Sequence, residues 1–105
     1  MDLDFFKKIS YNNSKYITKK YSTSFSLATS LLEEEKRKSI YAIYGFVRLA
    51  DEIVDSFHGY DKEFLLNSLQ KDLDYALEHN ISTNPILLAF VDTVKKYNIS
   101  TEHIN

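Results

Sequence analysis

An all-α fold is predicted by three features of this sequence. Two glycines and one proline are all that punctuate 105 residues, which favours long uninterrupted elements. No stretch alternates between apolar and polar with period two. The apolar positions recur three and four apart instead, the repeat of helices that bury one face.

The elements follow in chain order. Residues 4–20 are a polar lead-in with lysines and tyrosines, where one short helix is expected. YSTSFSLATSLL, 21–32, is rich in serine and threonine before it turns apolar. Hydroxyl side chains compete for backbone groups, so this stretch favours a turn or a helix start. EEEKRKSIYAIYGFVRLADEIVDSF, 33–57, predicts the strongest helix. Its acids come first, where the positive end of the helix dipole favours them. His58-Gly59-Tyr60 closes it, with Gly59 suited to a left-handed position after a helix. Asp61 caps the next helix, whose apolar face carries Leu65, Leu66, Leu69, Leu73, Ala76 and Leu77. Residues 80–83 form a loop. Asn84 then caps a helix with Pro85 at its first position. Ile86, Leu87, Phe90, Val91 and Val94 make its apolar face, and Asn98 ends it. Residues 100–105 resemble another helix start, with Ser100 as cap. A helix start without a body leads us to expect that 1–105 is the N-terminal segment of a longer single domain.

Composition narrows the function. Net charge is -2 with a pI near 5.9, so no global field attracts nucleic acid. Cysteine is absent, which excludes disulfides, thiolate metal sites and cysteine nucleophiles. The acidic N-terminus lacks the apolar run of a signal peptide, and no apolar stretch approaches the ~18 residues of a membrane span. A cytoplasmic protein is expected. Lys19-Lys20, Lys36-Arg37-Lys38 and Lys95-Lys96 are short basic runs, and weak peripheral contact with an anionic membrane is the most they imply. His58, His79 and His103 have no ligand spacing and read as exposed.

The chemistry concentrates in RLADEIVD, 48–55. At about 100° per residue, Tyr41, Tyr44, Arg48, Asp51 and Asp55 fall on one stripe, with Glu52 beside it. Ile40, Ile43, Phe46, Val47, Leu49, Ile53, Val54 and Phe57 occupy the other directions. A helix apolar on most sides is buried on most sides, so the stripe faces either water or a lined cavity. As a solvent face it would hold an ordinary Arg48–Asp51 pair. Two tyrosines, no lysine and the D-x-x-x-D spacing favour a cavity. Carboxylates one turn apart project side by side, and magnesium takes one or two of them with phosphate oxygens.

YSTSFSLATSLL followed by KRKSIYAIYGFVRLADEIVD closely resembles the N-terminal region of the phytoene/squalene synthase family. The resemblance implies the all-α isoprenoid synthase fold and head-to-head condensation of two prenyl diphosphates with loss of diphosphate. It implies that Asp51 and Asp55 are the first aspartate-rich motif, holding Mg²⁺, or Mn²⁺ in its place. It implies that Arg48 contacts diphosphate. Ser22, Ser24 and Phe25 match the start of the active-site helix, while Tyr41 and Tyr44 match cavity wall. Tyr21 stands where several members carry histidine, and Glu52 where some carry aspartate. Farnesyl or geranylgeranyl diphosphate is the implied substrate, with NADPH needed only for a squalene-type product.

The second aspartate-rich motif is missing. Asp61, Asp72, Asp74 and Asp92 form no D-x-x-x-D pair, and Asp72 and Asp74 point about 200° apart on a helix. The chain therefore holds half a site, and alone it is expected to be inactive. Its apolar faces exceed what three partner helices can cover, so self-association is expected. A non-catalytic helical interaction module derived from that family is the alternative reading.

Overall fold

The computed structural model describes residues 1–99. The helix start expected at Ser100, and His103, lie outside the described residues. Among these there are five helices and no strand: α1 (Leu3–Tyr21), α2 (Thr23–Thr29), α3 (Glu34–Asp55), α4 (Lys62–His79) and α5 (Pro85–Lys96). None is long and apolar enough to cross a membrane.

Helices α1, α3 and α5 pack against one another, α2 lies on α1, and α4 closes over α3 and α5. Helix α5 is the central element, with every residue from Ile86 to Val91 buried. Its cap is the predicted one: Asn84 Oδ1 accepts from the backbone N–H groups of Ile86 and Leu87. Leu69, Leu73 and Ala76 of α4 and Ile53 of α3 meet Leu87, Phe90, Val91 and Val94 in one core. The Phe46 ring stacks on Phe90 with centroids 4.3 Å apart. Asp61 caps α4 as expected, and Asn80 ends it in the left-handed region at φ 59°. Helix α3 stops at Asp55, and Gly59 takes its positive φ of 86° in the following turn.

Residues 4–20 depart from expectation. In place of a short helix they form nearly all of the 19-residue α1, capped by Asp2. Its inward face is not a leucine stripe. Ser10, Ser14 and Thr18, each four residues apart, are its buried positions. Ser10 and Thr18 donate to carbonyls four residues back, which satisfies hydroxyls inside a helix. Small side chains let α1 approach α3 closely at Gly45. A Cβ there would sit 2.9 Å from both Cβ and Oγ of Ser14.

Polar contacts tie α1 to α5. The Tyr11 hydroxyl donates to Asp92 Oδ2 at 2.7 Å and lies 3.2 Å from Thr93 Oγ1. Lys7 pairs with Asp92 Oδ1 at 3.1 Å. Burial pushes the Tyr11 hydroxyl well above the usual tyrosine range; Thr93 opposes this, and the Asp92 carboxylate adds to it. The hydroxyl thus keeps its proton where the unfolded chain would lose it. This stability is fully present below the unfolded pKa of about 10 and is lost as pH rises above it. Tyr11→Phe is expected to cost about 1 kcal/mol at neutral pH. It should also flatten the fall in melting temperature above about pH 10. An unchanged alkaline limb in the variant would assign that fall to another group.

Candidate functional site

The site is built on the last two turns of α3 and on the junction between α1 and α2. That junction is tight. Ser22 ends α1 in an extended conformation and at once caps α2, its Oγ accepting from the Phe25 N–H at 3.2 Å. The chain turn places Tyr21 against α3. The Arg48 guanidinium lies over the Tyr21 ring, 4.7 Å from its centroid.

Arg48 pairs with Glu52 and not with Asp51 as the sequence suggested. Its Nη2 and Nε donate to Glu52 Oε2 at 2.6 and 3.2 Å. An i, i+4 pair on a helix brings the groups into register, whereas Asp51 has the shorter side chain and the i+3 position. Hydrogen bonds from the Ser56 hydroxyl and then from Arg48 hold the Glu52 carboxyl below its usual range, and Tyr21 contributes in the same direction. Glu52 in turn raises the Arg48 pKa. Tyr21, Arg48, Glu52 and Ser56 therefore form one cluster. Ser56 carried no signal in the sequence. Tyr21 and Glu52 could have been found as one-turn neighbours of Arg48 had the end of α1 been placed beside α3.

Asp51 and Asp55 flank this cluster. Both are exposed, and neither joins an ion pair among the described residues. The lined cavity expected around them is not formed by these five helices. The core elements α4 and α5 cover the opposite side of α3, through Ile43, Phe46, Leu49 and Ile53. Among the described residues no group of three or more His, Cys, Asp or Glu is arranged to hold a metal ion.

Phe25 stacks on Tyr44, with centroids 5.1 Å apart and planes at 24°. With Ile40, Ile43 and Val47 they line an apolar groove of about 210 Å³ on α3. Ser22 is half-buried beside it and Ser24 is exposed. Tyr41 is separate. It is 3% exposed and borders a different, basic groove with Lys15 and Arg37. The structure thus brings together Ser22, Phe25, Tyr44 and Arg48 at one end of α2, leaves Asp51 and Asp55 open next to them, and puts Tyr41 elsewhere. His58 and His79 are exposed, as expected.

Residues 18–105 match the sequence profile of a family described as squalene/phytoene synthase. A 4,4'-diapophytoene synthase from Staphylococcus haemolyticus is 33% identical over 95 residues, covering 86% of this chain and 32% of that protein. A 15-cis-phytoene synthase from Synechococcus elongatus is 33% identical over 90 residues, covering 83% of this chain and 28% of its own. Phytoene synthase 1, chloroplastic, from Zea mays is 42% identical over 48 residues, covering 46% of this chain and 12% of its own. The chain spans about a third or less of the length of these relatives. No solved structure is matched.

Proposed function

Since the chain belongs to the squalene/phytoene synthase family, we propose that it carries the first half of a site that ionises a prenyl diphosphate. The whole protein would join two prenyl diphosphates head to head with loss of diphosphate. The observation that supports this is the last two turns of α3. Two exposed carboxylates, Asp51 and Asp55, flank the Arg48–Glu52 pair beside an apolar groove.

Each group has a task in that reaction. Oxygen donors one turn apart, not engaged in ion pairs, suit a hard cation such as magnesium, or manganese in its place. The bound cation would offset the charge of the departing diphosphate. Glu52 occupies Nε and Nη2 of Arg48, which leaves Nη1 for a diphosphate oxygen. The Tyr21 ring holds the guanidinium plane in place for that contact. Phe25 and Tyr44 form an apolar wall for the prenyl chain. Such a wall keeps water from the allylic cation, and ring faces can stabilise it. Ser22 and Ser24 supply hydroxyls at the start of α2, near the leaving group. A phytoene-type product needs no reductant, whereas a squalene-type product would need NADPH. We place the protein in the cytoplasm, in contact with the membrane surface from which long prenyl chains are drawn.

The absence of a three-group metal cluster among the described residues supports a second reading, a non-catalytic helical interaction module. The test is product formation. The full-length protein, supplied with farnesyl or geranylgeranyl diphosphate and Mg²⁺, is expected to release diphosphate and form a head-to-head hydrocarbon. EDTA should abolish this. No product from either substrate, with the protein folded, would leave the module reading in its place.

A further inference from the structure

We infer that the groove bounded by α1, α2 and the first turns of α3 is a binding site for phosphate groups. Two adjoining hollows of about 460 and 270 Å³ share Lys15, Arg37 and Tyr41 as lining. Lys19 and the hydroxyls of α2 complete the first, and Lys8, Lys38 and Glu34 border the second. Five cations thus face one acid, in a chain whose net charge is -2.

None of the five is ion-paired among the described residues, although Lys7, Lys36, Arg48 and Lys96 all are. Arg37 is anchored by one bond only, from Nη1 to the Leu32 carbonyl at 3.3 Å, so its other donors are available. Lys38 is held over the Tyr11 ring, 5.1 Å from its centroid. Tyr41 borders both hollows, is 3% exposed, and its hydroxyl makes no hydrogen bond to the described residues. Like charges gathered without counterions repel, and an anion in the groove relieves that repulsion. A guanidinium, ammonium groups and hydroxyls together suit phosphate oxygens.

The groove contains none of Arg48, Asp51 and Asp55. Fourteen residues of α3, about 21 Å of helix, separate Arg37 from Asp51. The ligand is either a soluble phosphate-bearing molecule or the headgroups of a membrane. Leu27 on the rim and Leu31 just beyond it, 69% and 87% exposed, would enter the bilayer in the second case.

The experiment uses the purified protein in EDTA, so that the carboxylates of α3 cannot bind diphosphate through a metal. One arm titrates inorganic diphosphate. The other measures sedimentation with phosphatidylcholine vesicles containing phosphatidylglycerol, against pure phosphatidylcholine. Binding is expected in at least one arm and should weaken with added salt. Lys15→Gln/Lys19→Gln should weaken it about tenfold. Lys15→Arg/Lys19→Arg should retain it, as should Asp51→Asn. Diphosphate binding without vesicle binding assigns a soluble ligand, and preference for the anionic vesicles assigns headgroups. No binding in either arm overturns the inference. So does binding unaffected by Lys15→Gln/Lys19→Gln, or abolished by Asp51→Asn.

Discussion

Asp51→Asn or Asp55→Asn in the full-length protein is expected to lower turnover at least about a hundredfold while leaving the fold intact. Asparagine keeps the shape of the side chain and removes the charge a metal would use. Both positions are exposed and outside every ion pair among the described residues, so stability has little to lose. The melting temperature without metal should hold or rise, since two carboxylates on one helix stripe repel when nothing lies between them. Metal and diphosphate together should raise the melting temperature of the parent protein and not of the variants. If the stripe were an ordinary solvent face, turnover would be close to unchanged. Rates of product formation with Mg²⁺ separate the two outcomes.

The second large effect is expected at the contact between α1 and α3. Gly45→Ala adds a methyl group 2.9 Å from the Cβ and Oγ of Ser14 and 3.1 Å from its Cα. Alanine is favoured over glycine inside a helix by about 1 kcal/mol. The clash works against this. Overpacking costs about 1–3 kcal/mol, and here a backbone atom stands in the way, so α1 itself must move. The net result should be destabilising, and Gly45→Leu should lower the melting temperature by about 10 °C or more. Adding Ser14→Gly to Gly45→Ala should recover most of the loss, because the two side chains compete for one space. A melting temperature that stays level in both single variants would show that α1 does not pack there.

The sequence announces some elements and hides others, for physical reasons. Helices α4 and α5 were legible because their signals are local. Asp61 and Asn84-Pro85 cap them, and each has one leucine-rich face. Helix α1 was not legible, because its inner face carries Ser10, Ser14 and Thr18, which read as turn-formers. Their spacing of four and the capping Asp2 were the available signals. The stripe of α3 was legible as a set of residues but not in its surroundings. Periodicity shows which residues share a direction and is silent on which neighbours lie there. The basic groove was invisible for the same reason. Lys15, Lys19 and Arg37 come from separate helices, and each looked like an ordinary solvated run.

The fastening of α1 has a consequence for motion. The positions it buries fully are hydroxyl residues, and its ties to α5 are Tyr11 and Lys7 on one carboxylate, Asp92. Lifting this helix from the bundle would bare little hydrocarbon, while the core of α3, α4 and α5 stayed closed. Such an opening is a sub-global event, with a free energy below that of full unfolding. Denaturant acts in proportion to the surface exposed, so this event would respond to it weakly. Helix α1 is then a strap that can be released and refastened, and Tyr21 at its end carries that movement to Arg48.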